Sequence, residues 1–568
     1  MSVADPTMTD LSGAHPEIAL EGGRKARKNL TRSRIWFSVG VLVLVFAVIC
    51  GRLIQLGIER PADPEYLRAN SELTLARPAL VDRNGEPLAL DIEAPSLYAE
   101  PKNIIDIDEA VEKLHSVLPQ LSTDFLRQRL DGDEGFVWLE RELSPAMQEK
   151  VLQLGLPGVD FVNETKRYYP GGSDASHLLG TVNIDNQGIS GIERYLDRKV
   201  LNTDAERPDQ VQLSIDLRVQ HALHAELEDS MTRYQAIAAA GVLINVKTGE
   251  VMGLVSLPDF DPNEPATALE EGRINRITAG TFELGSTFKT VTFAGALDSG
   301  AVHITDRFDA THGVRFGRFV IDDFHGQHRV LSVPEIFKYS SNVGTIHLMQ
   351  AWGKDNYRAF LHRMGFDEPL PIELPETKRS TIPSDFSEIV AATASFGHGI
   401  SVTPLHMASA IAAFVNDGVY LPATLFPRST EEAAEIGRHV ISPEASALVR
   451  YLLRLNAMEG TATHMNRIAD GYLPGGKTGT AEKVENGRYV SNKNFNAFAA
   501  AFPLDNPQYA LVVVIDEPKR ENPQSGDTAG WNAGEVAGRI IKRVAPMLGI
   551  APEFDESVDQ SLVPAVLR

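Results

Sequence analysis

The strongest constraint in this sequence is a long apolar segment near the N-terminus. Residues 35–58 read IWFSVGVLVLVFAVICGRLIQLGI, and their only charged side chain is Arg52, close to the far end. A helix rises about 1.5 Å per residue, so about 20 apolar residues cross the hydrocarbon layer of a bilayer. A long arginine side chain near the end of such a helix can reach the interface. The segment therefore predicts one transmembrane helix, and no later segment is comparable.

The charges on either side of this segment predict its orientation. The preceding stretch is basic and holds no acid between Arg24 and Arg34, whereas acids and bases are mixed between Glu59 and Arg68. The positive-inside rule makes residues 1–34 a cytoplasmic tail and exports everything from about residue 60. A cleaved signal peptide would need a shorter apolar core and a small-x-small cleavage site. A lipoprotein site at Cys50 would want a small residue where Ile49 stands, so an uncleaved anchor is favoured.

Bulk composition sets two further limits. The chain has 568 residues, enough for two or more domains with full cores. Its net charge of -22 argues against a nucleic-acid partner, because no general basic field attracts phosphate. Cys50 is the one cysteine, so an intrachain disulfide is excluded.

The exported part divides into two regions with different patterns. Residues 59–208 mix short helix-like stretches, near 108–118 and 144–154, with turn signals such as Asn84-Gly85. We interpret them as an irregular α+β module. Residues 209–550 form the second region, and residues 551–568 are a C-terminal tail.

The second region begins and ends with strand patterns. After an amphipathic helix over 216–234, two apolar runs are separated by a turn at Lys247-Thr248-Gly249, which predicts a hairpin. A long helical section follows, and strand-like runs return at 496–502 and 509–515 before a last helix at about 533–548. This order predicts an α+β domain in which one sheet is assembled from both ends, with the helical section inserted.

The first short motif with chemical meaning is Ser286-Thr287-Phe288-Lys289. A serine and a lysine three residues apart on a helix share one face. Ser286 at a helix start would lie at the positive end of the helix dipole, where developing negative charge is stabilised. A serine hydroxyl needs an adjacent base to act as a nucleophile. Lys289 can be that base only if burial or a nearby cation lowers its pKa.

Two further motifs complete the set. Ser340-Ser341-Asn342 follows a helical stretch that begins near Pro334; Ser340 could shuttle a proton and Asn342 could hold the substrate or the lysine. Lys477-Thr478-Gly479-Thr480 supplies a cation for a substrate carboxylate and a glycine that permits close backbone approach. The N–H groups of Thr480 and Ser286 would form an oxyanion hole.

Each motif alone is weak, but their combination is specific. Another Lys-Thr-Gly stands at 247–249, where it fits a plain turn. Ser286–Lys289 is nevertheless the only S-x-x-K in the chain, and Ser340–Asn342 is the only S-x-N. They occur in the order S-x-x-K, S-x-N and K-T-G that marks penicillin-interacting serine enzymes.

With these motifs in place, the sequence resembles the class B penicillin-binding proteins of the cell-division type, from the anchor to about residue 548. Other stretches are similar to motifs of that family, with Pro78 where glycine is usual and His406 where glutamine is common. These stretches are RPALVDRNG (77–85), RYYP (167–170), GISGIE (188–193), GHG (397–399) with Thr403-Pro404, and VIDEP (514–518).

The resemblance implies a fold and a reaction. The fold would be a transmembrane anchor, a non-catalytic pedestal over 59–208 and a β-lactamase-like transpeptidase domain over 209–550, with a central antiparallel sheet flanked by helices. The substrate would be a peptidoglycan stem peptide ending in D-Ala-D-Ala, which acylates Ser286 and is then transferred to an amine. Lys289, Ser340, Asn342 and Lys477 would be catalytic, and Thr478, Gly479 and Thr480 would bind substrate. β-Lactams would acylate the same serine, and no cofactor is implied.

It also implies partners and a location. The partner would be a polytopic glycan polymerase of the FtsW type, together with other division proteins. The catalytic domain would lie in the periplasm, anchored to the inner membrane at the division septum. No glycosyltransferase domain, as in class A relatives, fits before the pedestal. An elongation-type class B enzyme is the nearest alternative.

Other functions fit the residues less well. Residues 471–478, GYLPGGKT, match a Walker A pattern, but the following residues predict a strand and a turn instead of a helix. A β-lactamase or antibiotic sensor shares the three motifs, yet Glu373, Glu376 and Glu388 lack the context of a hydrolytic base. A catalytically silent scaffold remains the non-enzyme alternative. His325 and His328 beside Asp322 and Asp323 could suggest a metal, but the stretch is typical of a solvated turn.

Overall fold

The computed structural model describes residues 23–58, 76–201, 208–485 and 487–568, in two compact units that divide after Leu73. Within the first unit, the helix α1 spans Gly23–Ile58. It contains the window Arg34–Gln55, which is long and apolar enough to cross a membrane, and no other described helix is. The predicted anchor helix is confirmed. It begins earlier than the apolar segment because lysine, arginine and alanine in the basic flank also favour helix. The linker expected over 59–75 lies outside the described residues.

The second unit begins with the irregular module that the sequence predicted. Its five-stranded sheet has the order β3-β2-β1-β5, with β4 also paired to β2. The strands are β1 Ala79–Val81, β2 Pro87–Ala99, β3 Val137–Glu140, β4 Val159–Tyr168 and β5 Gln210–Gln212. The helices are α2 Ile107–Val117, α3 Thr123–Leu130, α4 Pro145–Leu152, α5 Ser176–Leu179 and α6 Gly191–Leu196. The helices expected near 108–118 and 144–154 are therefore confirmed as α2 and α4.

A buried ion cluster joins four separate stretches of this module. Glu193 accepts hydrogen bonds from the guanidinium groups of Arg77, at 2.9 Å, and Arg167, at 2.7 Å. Arg167 also donates to Asp91, and Arg77 donates to Asp197. The side chains of Glu193 and Arg167 are fully buried. Charges removed from water persist only when they are paired and hydrogen-bonded, so the cluster fixes how these stretches meet.

Asp82 connects the module to the next domain. Its carboxylate accepts hydrogen bonds from the backbone N–H groups of Asn84 and Glu86, which closes the Asn84-Gly85 turn. The same carboxylate accepts from the N–H of Leu217 at 3.0 Å, at the start of the helix α7, Leu217–Tyr234. One buried acid thus orients the turn and the first helix of the following domain.

The second domain is built around one antiparallel sheet of order β14-β15-β16-β6-β7. The strands are β6 Ala238–Asn245, β7 Val251–Leu257, β14 Gly475–Glu485, β15 Arg488–Phe502 and β16 Tyr509–Asp516. Both ends of the domain sequence contribute strands, as predicted, and the Lys247-Thr248-Gly249 turn joins β6 to β7. The central antiparallel sheet flanked by helices is confirmed.

Alternate residues of each strand face two different cores. On β16, Val512 and Val514 pack in one core with the helix α13, Pro404–Val415. Leu511 and Val513 pack in the other core with α7 and the helix α17, Ala533–Met547. Side chains alternate across a strand with a period of two, so strands buried on both faces read as continuous apolar runs. This explains why YALVVVI shows no polar alternation. The edge strand β14 carries the predicted Lys477-Thr478-Gly479 motif.

The inserted section supplies the remaining elements. Its helices are α8 Lys289–Asp298, α9 Val333–Tyr339, α10 Asn342–Trp352, α11 Lys354–Arg363, α12 Glu388–Ser395, α13 Pro404–Val415, α14 Thr430–Ile436, α15 Pro443–Glu459 and α16 Thr463–Ile468. Short strands form three two-stranded pairs: β8 Arg307–Asp309 with β11 Val330–Ser332, β9 Val314–Phe316 with β10 Phe319–Ile321, and β12 Val419–Tyr420 with β13 Arg438–His439. Thr403 and Ser442 are the N-caps of α13 and α15, and each is followed by a proline that favours the first position of a helix.

The last helices close the domain. The helix α17, Ala533–Met547, packs against α7 on one face of the sheet, as the sequence predicted for 533–548. A further helix, α18, spans Glu556–Leu562, and Asp559 forms an ion pair with Arg454 of α15. The helix α18 is thus linked to α15 by this ion pair.

Replacing Glu193 by alanine is expected to destabilise the module strongly. Removal of one partner leaves two arginines buried without their shared acceptor, which costs about 3–5 kcal/mol. The measurement is the free energy of unfolding in urea for a fragment that begins at residue 76. Glu109→Ala is the matched control, because its partner Lys113 lies at the surface and such pairs contribute about 0–1 kcal/mol. Equal effects of the two substitutions would contradict a structural role for the buried cluster.

Candidate active site

Ser286 lies on a short turn at the edge of the central sheet. The turn is a 3-10 helix, Gly285–Phe288, that leads directly into α8. The sequence predicted that Ser286 opens this helix, and it lies one turn earlier, within the 3-10 segment. Its side chain is half-buried, and no described residue accepts a hydrogen bond from its hydroxyl. The Ser286 hydroxyl therefore donates no hydrogen bond within the described part of the chain.

Lys289 begins α8 and is fully buried. Its ammonium donates to Asn342 Oδ1 at 2.8 Å and to Ser340 Oγ at 3.2 Å, and it also donates to the backbone carbonyl of Ser340. Two of the three motifs predicted from the sequence therefore meet at this one ammonium group.

Lys477 brings the third motif to the same point. It is fully buried on β14, and its ammonium donates to Ser340 Oγ at 2.9 Å. The same group lies 5.8 Å from the centre of the Phe337 ring. The hydroxyl of Ser340 therefore accepts from both lysines, and it holds two ammonium groups close together in the interior.

Burial lowers the pKa of both lysines, and repulsion from Lys477 adds to the effect on Lys289. Burial first, and the charge of Lys477 second, lower the pKa of Lys289 well below its ordinary value of 10.5. Burial lowers the pKa of Lys477 to about 7. Loss of water penalises the charged form of an amine, and a neighbouring cation adds to that penalty. A neutral lysine that can accept a proton is therefore accessible near neutral pH.

The backbone at Ser340 has an unusual conformation. Ser340 follows α9 with a φ of 57°, in the left-handed region, and α10 begins two residues later at Asn342. Residues other than glycine adopt this region at a cost, which packing around a site can maintain. Here the reversal directs the carbonyl and the hydroxyl of one residue towards Lys289.

The turn that carries Ser286 is held by close backbone contacts that require glycine. A Cβ on Gly479 would lie 2.0 Å from the carbonyl oxygen of Leu284, and one on Gly397 would lie 2.1 Å from that of Gly285. Either substitution would push the turn away from its neighbours. The turn bearing Ser286 is thus clamped between β14 and the 397–399 loop.

Thr478 and Thr480 lie on the other face of β14 from Lys477. Thr478 Oγ1 shares a hydrogen bond with Thr461 Oγ1 at 2.7 Å, and Thr480 Oγ1 accepts from the N–H of Ala529 at 3.0 Å. Thr461 was not identified from the sequence. It follows α15 in a loop that carries no motif, and only the fold brings it to β14.

Three other residues, Glu283, His398 and Tyr489, lie around the turn that carries Ser286. Glu283 accepts hydrogen bonds from the N–H of Gly399 at 2.9 Å and from the hydroxyl of Tyr489 at 3.2 Å. Burial raises the pKa of Glu283. His398 is mostly buried, and burial, aided by the charge of Lys289, lowers its pKa. The order along the chain did not predict that these groups surround the turn.

The positions of other motifs in the fold argue against several alternative functions. Gly475–Glu485 is a strand, so the Walker A match does not precede a helix and is wrong. The second Lys-Thr-Gly is the turn between β6 and β7, as expected. Two glutamates weighed as hydrolytic bases have structural partners: Glu373 accepts from the N–H of Leu425, and Glu376 accepts from that of Gly191.

The stretch 322–328 is only partly the solvated turn that the sequence suggested. His325 and His328 are exposed, and the described residues contain no group of histidine, cysteine or acidic side chains suited to a metal ion. Asp323, however, is half-buried and accepts a hydrogen bond from the N–H of Asn342. The prediction was wrong for Asp323 because its partner lies on a different element.

Two protein families match the chain. The penicillin-binding protein transpeptidase domain matches residues 239–542, more than half of the sequence. The penicillin-binding protein dimerisation domain matches residues 75–206, which include the ion cluster around Glu193.

Several relatives match this chain over most of its length and most of their own. A probable peptidoglycan D,D-transpeptidase FtsI of Caulobacter vibrioides is 36% identical over 84% of this chain and 82% of its own. A probable peptidoglycan D,D-transpeptidase PenA of Neisseria gonorrhoeae is 30% identical over 93% and 95%. The peptidoglycan D,D-transpeptidase FtsI of Escherichia coli K12 is 28% identical over 89% and 90%.

A solved structure shares the fold. A peptidoglycan synthetase from Bifidobacterium adolescentis superposes with a TM-score of 0.65, covering 85% of this chain and 97% of its own, at 22% sequence identity.

The reactivity of Ser286 is expected to fall as the pH drops through the pKa of Lys289. A protonated lysine cannot accept the serine proton, and a lowered pKa keeps the neutral form at lower pH than for an ordinary lysine. The measurement is the rate of labelling by a fluorescent penicillin between about pH 5 and about pH 10. A rate that still rises about tenfold per pH unit up to about pH 10, as expected for a base with the ordinary lysine pKa of 10.5, would contradict the assignment of Lys289.

Proposed function

Because the chain belongs to the class B penicillin-binding proteins, we propose that it cross-links peptidoglycan as a serine D,D-transpeptidase. The substrate is a stem peptide ending in D-Ala-D-Ala, and Ser286 forms the acyl-enzyme. The proposal depends most on one observation: Ser340 Oγ accepts hydrogen bonds from both Lys289 and Lys477, directly beside the turn that carries Ser286.

The first half of the reaction is acylation. Neutral Lys289 takes the proton of Ser286 as the serine oxygen attacks the penultimate carbonyl carbon. The oxyanion that forms is stabilised by the N–H groups of Ser286 and Thr480. A Cβ on Gly285 would lie 3.1 Å from the backbone nitrogen of Thr480, which supports the closeness of these two segments.

The leaving group then departs with a proton. Ser340 lies between the two ammonium groups, so it can receive a proton from Lys289 and pass its own to the nitrogen of the leaving D-alanine. The peptide C–N bond breaks and the acyl group stays on Ser286. An amine of a neighbouring stem peptide attacks this ester and loses a proton to the same groups in reverse. The products are the cross-link and free Ser286.

The edge strand β14 supports a way to hold the substrate. It is the outer strand of the sheet next to Ser286, so its free backbone groups can pair with an extended peptide as an added strand. Lys477 gives the positive charge for the terminal carboxylate, and the hydroxyls of Thr478 and Thr480 lie along the same strand. A β-lactam, which carries a carboxylate and a strained amide, fits the same position and acylates Ser286.

Hydrolysis and a silent scaffold are less well supported. A β-lactamase needs a base that activates water on the acyl-enzyme, and Glu373 and Glu376 are held by the backbone of other segments. A scaffold has no need to keep two lysines buried side by side, since each burial costs free energy.

A role in cell division is the finer part of the proposal. Two relatives over most of the chain bear the name FtsI, which favours division over elongation. The chain is a single-pass membrane protein, and the basic residues before α1 support a cytoplasmic N-terminus. The catalytic domain over 209–550 then acts in the periplasm at the septum, above the pedestal of residues 59–208. An FtsW-type polymerase supplies new glycan strands.

The identity of the nucleophile is tested by mass spectrometry of the penicillin adduct. The wild-type chain is expected to gain one adduct on the peptide that contains Ser286, and Ser286→Ala is expected to gain none while keeping its melting temperature. An adduct that persists in Ser286→Ala would remove this serine from the mechanism.

The two Lys-Thr-Gly motifs offer a matched comparison in the same assay. Lys477→Ala is expected to reduce the second-order rate of acylation by about 100-fold or more, because substrate carboxylate binding and the contact with Ser340 are lost. Lys247→Ala is expected to leave that rate unchanged, since Lys247 contacts Asn416 beside a distant turn. Similar rates for the two variants would contradict the role of Lys477.

A further inference from the structure

Asp323 places a carboxylate at the start of the helix that carries Asn342. It belongs to the loop after β10, and it contacts three groups of α10 and its cap. The N–H groups of Asn342 and Val343 donate to its Oδ1, the latter at 3.0 Å, and Ser341 Oγ donates to its Oδ2 at 2.7 Å. Both carboxylate oxygens are therefore used by the Ser340–Asn342 motif and the residue after it.

These contacts give the first backbone N–H groups of α10 their hydrogen-bond acceptors. The first N–H groups of a helix have no partner within the helix. In α10 the N–H groups of Asn342 and Val343 donate to Asp323, and that of Gly344 donates to Ser341 Oγ at 2.9 Å. An acceptor with a full negative charge is favoured at this end of the helix dipole. The loop after β10 thus fixes the position of the turn at Ser340.

The same contacts lead to the catalytic lysine. Asn342 donates its backbone N–H to Asp323, and its side-chain oxygen accepts from Lys289 at 2.8 Å. A single residue therefore separates the carboxylate from the buried ammonium. A shift of the helix start would move the Asn342 oxygen and the Ser340 hydroxyl together.

Charged and titratable groups approach Lys289 from three elements. Lys477 on β14 lowers the pKa of Lys289, and Asp323 raises it. His398 faces it from the 397–399 loop, but burial lowers the pKa of this histidine, so it contributes no charge at neutral pH. Burial is the largest cause of the lowered pKa of Lys289, Lys477 adds to it, and Asp323 opposes both.

We propose that Asp323 is a positioning residue for acylation, which holds the Ser340–Asn342 turn in place and counterbalances the positive charge that Lys477 sets beside Lys289. This inference rests on the proposed function, because it needs Ser286 to be acylated with Lys289 as the base. Asp323 acts through Asn342 and does not touch the substrate.

The charge is tested by Asp323→Asn, which keeps the size of the side chain. Without the carboxylate, Lys289 becomes a weaker base. The acid limb of the rate–pH profile for penicillin acylation is therefore expected to move to lower pH. The maximal rate is expected to fall about tenfold, since a weaker base removes the serine proton more slowly and the helix start is less well held.

Two further variants separate charge from structure. Asp322→Asn makes the same change of charge one residue away, at an exposed carboxylate that accepts from the N–H of Asp323 at 2.9 Å. It is expected to keep the wild-type profile within about twofold, because exposed charges are screened. Asp323→Glu retains the charge, and its acid limb is expected to stay near that of the wild type.

The outcomes distinguish this inference from the proposed function. If the wild-type chain gains no penicillin adduct at all, the proposed function fails. If the wild type is acylated and Asp323→Asn matches it in rate and in acid limb, Asp323 has no such role. A lower rate with an unmoved acid limb and a reduced melting temperature would also overturn the inference, because it indicates a purely structural contact. The same holds if Asp322→Asn shifts the limb as Asp323→Asn does.

Discussion

Two buried ammonium groups share one serine hydroxyl, and the chemistry of this protein depends on that contact. A lysine in the interior is costly, and two side by side are more so, unless polar groups surround them. Ser340 and Asn342 provide those groups for Lys289, and Ser340 also provides one for Lys477. Burial, aided by the charge of Lys477, lowers the pKa of Lys289. In the proposed mechanism, this shift allows Lys289 to act as the base for Ser286.

The rest of the domain keeps this contact in place. The sheet holds Lys477 on its edge strand, and glycines at 479 and 397 let the turn that carries Ser286 approach β14 and the 397–399 loop closely. The left-handed backbone at Ser340 and the capped start of α10 direct oxygen atoms inward. The ion cluster around Glu193 holds the non-catalytic module together, and the carboxylate of Asp82 connects that module to the start of the catalytic domain. These are rigid contacts between buried groups, as a site with fixed distances requires.

The sequence predicted the elements and the motifs better than the contacts between them. Apolar patterns that extend over many residues predicted several elements: the anchor helix, the β6–β7 hairpin, the strands β15 and β16, and the helix α17. The motifs around Ser286, Ser340 and Lys477 were recognisable because their spacing is local. Thr461 was missed and Asp323 was misinterpreted, since each meets its partner only through tertiary packing: Asp323 contacts a helix start from the loop after β10. No local pattern marks a residue whose role is defined by a neighbour elsewhere in the chain.

The central claim is that Lys289 is neutral enough at physiological pH to act as a base. It is tested most directly by following the ε-carbon of Lys289 by NMR in protein labelled with ¹³C-lysine, with the signal assigned by comparison with Lys289→Ala. The structure predicts a titration midpoint well below the ordinary lysine value of 10.5. A midpoint at or above that value would contradict the account, because Lys289 would then hold its proton throughout the working range of the enzyme.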